Sequence, residues 1–487
     1  MSTLAYRLRR NTLQISSFAT VLLLGALVGV AIPALAGQSL YRLIMIALAA
    51  ISILGLVMSR HPRRVLMFFL MVAIPLNLAF TPLGHVPLHS GGAEPGFVIY
   101  LYDLPLIGLI VIWLIDITLH RAVISLSVVD VIAVLFILWN SLSLYNSTDV
   151  SLSLYEIGRL IKLYLLARIV ISLVDSPGAV RVILYGLIAA LLLQSAVTML
   201  QYFFNYNLGG LGFIVGADVA RRVSGTVGWP NTLGAYIAAI LCWPLTLWLC
   251  NMGGRRRWML LVVCIIGALP LVLTFSRGAW LGLGAGLIVA ITLGLYGGWL
   301  TLKDISKLVV VGLVAALMVL LFSGEIAARI GEDTITVRGN LNAVAWNMIE
   351  SNPVLGIGVN TFVNVMAKYD QSGVTSYFAE PVHNAFLLIA AETGLVGLGL
   401  FLALIALVFR VGTQAVLSSD RFLSVSVIGL LAGLTAILVS NLGDVHLKTD
   451  VVFSLFWLVI GLILAIRRMG SLSRVTVSVP SSLEAVS

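Results

Sequence analysis

About fourteen apolar runs of roughly 16 to 25 residues follow one another through the chain, near 16–36, 39–59, 64–80, 98–118, 127–145, 157–174, 180–203, 231–250, 258–275, 279–297, 307–323, 384–409, 422–440 and 450–466. Each is long enough to cross the roughly 30 Å hydrocarbon layer of a bilayer as a helix. Lipid offers no partner to an open backbone amide, so runs of this length in series predict an all-α polytopic integral membrane protein of about 12–14 transmembrane helices. A mean hydropathy of +1.09 and only 10% charged residues agree with that reading.

The first run follows Arg7, Arg9 and Arg10 and ends at Ala34-Leu35-Ala36-Gly37, which has the outline of a cleavable signal peptide. At about 20 residues it is too long for a signal core, and a second run follows at once, so an uncleaved first helix is expected. Cys242, Cys250 and Cys264 lie inside apolar runs without C-x-x-C spacing, which predicts reduced, buried thiols.

The formal charge of +9 does not point to nucleic acid, because the basic residues are scattered between apolar runs. They instead orient the chain. With the N-terminus inside, the cytoplasmic face collects Arg63, Arg64, Arg181, Arg255, Arg256, Arg257, Lys307, Arg421, Arg467 and Arg468 among others, as the positive-inside tendency requires. Both termini are then cytoplasmic.

Five regions follow. Residues 1–203 hold N-terminal spans, and 204–323 hold spans with arginine motifs at their outer ends. A long outer loop occupies 324–383, the last spans occupy 384–468, and a Ser- and Val-rich tail at 469–487 is expected to be disordered. In the long loop, Leu341, Val344, Ala345, Met348 and Ile349 recur at helical spacing, which predicts an amphipathic helix in the membrane interface.

The same orientation puts several unusual residues on the outer face. Arg221 and Arg222 precede a span, and Arg277 sits in the Ser276-Arg277-Gly278 turn between two spans. A guanidinium near lipid costs a few kcal/mol unless an anion offsets it, so each pairs with a loop acid such as Asp218, snorkels to the headgroups, or holds an anionic ligand. A lipid-linked pyrophosphate suits planar guanidinium forks. Arg159 and Lys162 share one face of the sixth run, and either extend that phosphate site or pair with Asp103 or Asp116.

His383 stands at the end of the long loop, three residues after Glu380 and just before Asn384, and the chain runs on from it without an evident break into an apolar span. A histidine there is either a helix cap or a titratable base held on a rigid element, with Glu380 placed to stabilise its protonated form. No metal-ligand spacing appears on the outer face, and His446 with Asp444 stands as an isolated pair.

These elements together resemble the O-antigen ligase and polymerase superfamily of bacterial envelope glycosyltransferases. His383-Asn384, then nine residues, then Gly394 and Gly397 follow that family's pattern. So do the Arg222 to Asn231 stretch, the Ser276-Arg277-Gly278 turn, and the run through Arg338, Trp346, Asn352-Pro353 and Gly356-Ile357-Gly358. The similarity spans roughly residues 215 to 405.

The resemblance implies a GT-C-like membrane fold in the bacterial inner membrane, with a long periplasmic loop and a periplasmic active site. It implies an undecaprenyl-diphosphate-linked glycan donor, no metal or other cofactor, and an acceptor hydroxyl on a glycan, lipid A-core or protein. By the same implication His383 deprotonates the acceptor, while Arg277 and Arg222, assisted by Arg221 or Arg338, stabilise the departing diphosphate. Ligase, polysaccharide polymerase and protein O-oligosaccharyltransferase remain alternatives within the family. A lipid-linked glycan flippase is the rival from another class.

Overall fold

The structure is a computed structural model that describes residues 59, 61–84, 96–119, 126–205, 222–321, 323–324, 334–418 and 420–477. The first apolar run, nearly all of the second, and Arg221 lie outside the described residues.

Every later run coincides with a helix. In chain order these are α1 (Pro62–Ala73), α2 (Asp103–Thr118), α3 (Val128–Leu142), α4 (Val150–Leu173), α5 (Pro177–Phe204), α6 (Pro230–Leu249), α7 (Arg257–Leu273), α8 (Arg277–Tyr296) and α9 (Lys307–Leu321). The loop helix α10 (Thr334–Ser351) follows, then α11 (Ala385–Ala415), α12 (Arg421–Ser440) and α13 (Asp450–Val477). The protein is an all-α polytopic membrane protein, and among the described residues seven helices are long and apolar enough to cross a bilayer. Of the remainder, α1 has 12 residues, α2 has 16, α7 has 17 and α9 has 15, α4 carries Glu156, Arg159, Lys162 and Arg168, and α10 belongs to the loop.

The bundle is built around α6, which is buried along its whole length, with α12 and α13 nearly as enclosed. Lipid gives helices no hydrophobic reason to associate, so close backbone approach must supply the contact. A Cβ on Gly282 or Gly286 of α8 would lie 2.6 Å from the Ala436 or Ala432 carbonyl of α12, and one on Gly433 of α12 would lie 2.6 Å from the Ala239 carbonyl of α6. All three cysteines are buried and free, as expected.

One end of the bundle gathers the basic residues assigned to the cytoplasm. Arg421 donates to the Cys250 carbonyl at 2.9 Å, Lys307 to the Leu249 carbonyl at 2.9 Å, and Arg468 to the Val174 carbonyl at 3.3 Å. His383 and Arg277 occupy the opposite end, at the starts of α11 and α8.

Four features depart from the sequence reading. An antiparallel two-stranded sheet, β1 (Ala79–Gly84) with β2 (Gly96–Tyr100), forms where a loop between two spans was expected. The apolar face of α10 does not lie on lipid. Leu341, Val344, Ala345, Met348 and Ile349 are buried with Phe362, Val363, Met366, Val374, Val382 and Leu388 in a small core separate from that of the bundle. The tail remains helical to Val477.

The fourth departure concerns α11, which is two helices. Gly394 has φ 71° and ψ 177°, a conformation open only to glycine, so the chain after His383 does not run unbroken into its span. The short helix 385–393 is separated there from the longer 395–415. The break lets the loop at 353–358 insert: Ile357 N–H donates to the Ala391 carbonyl at 2.9 Å, Gly358 N–H to Glu392 at 3.1 Å, and Leu395 N–H to Pro353 at 2.8 Å. Backbone groups that the interrupted helix would orphan are thereby satisfied.

Candidate active site

The site is assembled at a corner. The connection 441–449 between α12 and α13 abuts the first turn of α11, whose Ala385 N–H donates to the carbonyls of Asn441 at 3.0 Å and Asp444 at 3.2 Å. Asn384 is the N-cap, with its side-chain oxygen accepting from the amides of Phe386 at 3.0 Å and Leu387 at 3.1 Å. That cap fixes where the helix begins, and so where His383 stands just before it.

His383 lies between two carboxylates. Its Nδ1 is 3.4 Å from Oδ1 of Asp444, and its Nε2 is 3.7 Å from Oε2 of Glu380. Asp444 is held by the Val445 amide at 2.8 Å and by Asn231 Nδ2, also at 2.8 Å. Burial works against ionisation of Asp444, but His446, His383 and the Val445 amide outweigh it and hold the carboxyl well below its usual range. An ionised carboxylate only accepts, so Nδ1 carries the proton in the neutral ring and Nε2 is left with a lone pair. His446 is itself buried, which pushes it down from the ordinary histidine range; His383 and Arg338 push the same way, against Asp444.

From Asp444 a hydrogen-bonded chain leads to a buried arginine. Asn231, at the start of α6, donates to Asp444 and accepts from Arg222, whose Nε also donates to the Thr274 carbonyl at 2.8 Å. Thr274 precedes the turn carrying Arg277, so the Arg222 to Asn231 stretch and the Ser276-Arg277-Gly278 turn are joined.

Arg277 is the exposed first residue of α8, and a Cβ on its neighbour Gly278 would lie 3.6 Å from the Ser440 carbonyl, one residue before the Asn441 that binds Ala385. The half-buried Arg338 lies close enough to His446 to affect its protonation. Among the described residues neither Arg277 nor Arg338 has a carboxylate partner. Arg222, Arg277, Arg338, Glu380 and His383 therefore lie at one end of the bundle.

Arg159 and Lys162 behave differently. Arg159 donates to Glu156 at 2.7 and 3.0 Å and to the Lys448 carbonyl at 3.1 Å, and lies 3.7 Å from Asp450. Lys162 reaches Asp450 at 3.2 Å and Asp103 at 3.5 Å, whereas Asp116 pairs with Arg63. These cations knit α4 to α2 and α13, and their buried charges are answered by protein carboxylates.

Sequence reasoning missed Asp444 as the partner of His383, although the Asp444 and His446 pair was visible, because nothing local connects positions 61 apart. It also passed over Glu392 and Lys448, which pair at 3.0 Å. An acid inside an apolar run, two residues before a motif glycine, was the available signal.

Comparison with protein families matches residues 260–402 to the family described as O-antigen ligase. The matched segment contains Arg277, Arg338, Glu380, His383, Asn384 and the Gly394 break, while Arg222 and Asp444 lie outside it. The match supports the resemblance to the O-antigen ligase and polymerase superfamily, and with it a membrane glycosyltransferase of that general type that uses a lipid-linked glycan. No curated protein matches the chain.

Proposed function

We propose that this protein transfers a glycan from undecaprenyl diphosphate to an acceptor hydroxyl at the periplasmic face of a bacterial inner membrane, as an O-antigen ligase or a polysaccharide polymerase. The observation that carries the reading is the hydrogen-bonded chain from His383 through Asp444 and Asn231 to Arg222, at the end of the bundle where Arg277 and Arg338 have no carboxylate partner among the described residues. A base and fixed cations at one depth are what a displacement on a lipid diphosphate needs.

In this reading His383 Nε2 takes the proton of the acceptor hydroxyl, and the oxygen attacks the anomeric carbon. The bond from that carbon to the diphosphate breaks with its electron pair staying on the phosphate oxygen, and attack opposite the leaving group inverts the centre. Asp444 holds the ring in the competent tautomer and stabilises the imidazolium, with Glu380 assisting from the other side. Arg277 and Arg338 meet the charge that develops on the diphosphate, and Arg222 holds Asn231 and the Thr274 turn in place. Arginine stays charged at any working pH, so these cations are available to the departing diphosphate throughout.

The basic opposite end of the bundle favours the periplasmic placement. A transporter reading is less favoured, because the charges of α4 are paired with Glu156, Asp103 and Asp450.

The test is transfer by purified protein with an undecaprenyl-diphosphate-linked glycan and two acceptor probes, lipid A-core and a second lipid-linked glycan. Bond formation that is lost in His383→Ala and Arg277→Ala, with normal membrane insertion, is the expected result. Full activity in either variant would remove that residue's role, and translocation without bond formation would remove the reaction.

A further inference from the structure

The short helix 385–393 carries His383 at its leading edge, yet Gly394 disconnects it from the span that follows. A cavity lies against one side of it, lined by Leu388, Ile389, Phe136, Asn140, Phe401 and Phe453 among others. Its other side packs into the core around α10, and the carbonyls of its last turn accept from Ile357, Gly358 and Trp139. Two further attachments tie it to the 441–449 connection. At the leading end Ala385 N–H binds the Asn441 and Asp444 carbonyls, and at the trailing end Glu392 pairs with Lys448 at 3.0 Å.

The trailing attachment is buried and shared. Glu392 is 4% exposed and also lies 3.4 Å from the Phe362 amide; Lys448 donates to Asn360 Oδ1 at 3.3 Å. Lys448 stands four residues after Asp444 in the same connection. One pair thus ties together the loop that inserts at the break, the helix bearing the imidazole, and the segment bearing its carboxylate partner.

We infer that Glu392 and Lys448 are positioning residues that hold the 385–393 helix in register with the 441–449 connection, and so keep the His383 imidazole against Asp444. A helix secured at both ends cannot slide along its neighbour. With the pair removed, the 353–358 loop still holds the trailing end of the helix, but the direct ties between the helix and the 441–449 connection are reduced to those at its leading end; the connection can then shift against the helix, and a displacement of 1 Å at a reacting group is enough to cost about 100-fold in rate. The inference rests on His383 as the base, and its test is chosen to separate the two.

The measurement is the rate at which diethyl pyrocarbonate modifies His383 at fixed neutral pH in the full-length protein, read by peptide mass spectrometry. The buried His446 serves as internal control. Removing one partner leaves a buried charge unpaired, so the double variant Glu392→Gln with Lys448→Met is included to keep the fold. Lys448→Met, Glu392→Gln and the double variant are expected to change the His383 rate about fivefold or more, a factor corresponding to about 1 kcal/mol, while His446 is unmoved. Lys448→Arg restores the wild-type rate. In an Asp444→Asn background Lys448→Met adds nothing, because the contact it protects is already gone.

Wild-type His383 reactivity in both Lys448→Met and the double variant would overturn the inference, as would effects that multiply with Asp444→Asn. Transfer activity surviving in His383→Ala would instead sink the base assignment, whatever the modification rates.

Discussion

The imidazole of His383 meets the carboxylate of Asp444 at 3.4 Å across 61 residues of chain, and the meeting defines the site. The two side chains come from opposite edges of one corner, where the start of α11 is bonded to the connection leaving α12.

Asp444→Asn presents an amide where the carboxylate accepts a proton, and so favours the wrong tautomer of His383. The expected outcome is a fall in kcat of about 10²- to 10⁴-fold with the donor KM little changed, measured by glycan transfer at saturating donor.

Among the described residues Arg277 and Arg338 have no carboxylate partner, whereas Arg222 is bonded to Asn231 and Thr274. Arg277→Ala is expected to lower kcat/KM by about 10²- to 10³-fold, the usual cost of removing one fixed donor to a developing anion, with thermal stability unchanged. Arg222→Ala is expected to lower both activity and melting temperature, because it frees Asn231 from its partner. Calorimetry or fluorescence melting beside the transfer assay separates the two arginines.

Gly394→Ala places a methyl group where a Cβ would lie 2.0 Å from the Val354 carbonyl, in a conformation that costs about 1 to 3 kcal/mol for a non-glycine residue even without the overlap. Loss of folded, monodisperse protein in detergent is expected. Gly399→Ala is the control, since a Cβ there meets nothing within 4 Å.

His446 is buried and its folded-state pKa is depressed below the ordinary value of about 6.5. As the pH falls below that value the unfolded chain takes up a proton that the folded one refuses, so stability is lost on acidification. Asp444, also depressed, adds to the loss only near and below the ordinary carboxylate range. The melting temperature should therefore fall between pH 7 and pH 5, and fall less in His446→Gln. An equal slope in the two proteins would remove His446 as the cause.

The membrane class and the approximate position of each long apolar helix in the described residues were legible in the sequence, because lipid admits few backbone solutions. Gly394, Gly356 and the Asn352-Pro353 turn were legible as motif positions, but their common purpose was not. Only the fold places the 353–358 loop inside the break of α11, where any Cβ on Gly394 or Gly356 would collide with backbone. The burial of α10 escaped for a related reason: an amphipathic stripe records that one face is covered, without recording whether lipid or protein covers it.

The amino-acid order by itself determined which segments are apolar enough to span lipid, the end of the bundle at which its arginines gather, and the helix start on which His383 is mounted. Those properties are local, set by hydrophobicity, capping and charge within a few residues. The tertiary structure alone decided which charges are spent and which are open: Arg159 and Lys162 are answered by Glu156, Asp103 and Asp450, while Arg277 and Arg338 meet no carboxylate among the described residues. It alone brought Asp444 to the imidazole. Pairing depends on distance in space, and helix packing sets that distance between positions the chain keeps far apart.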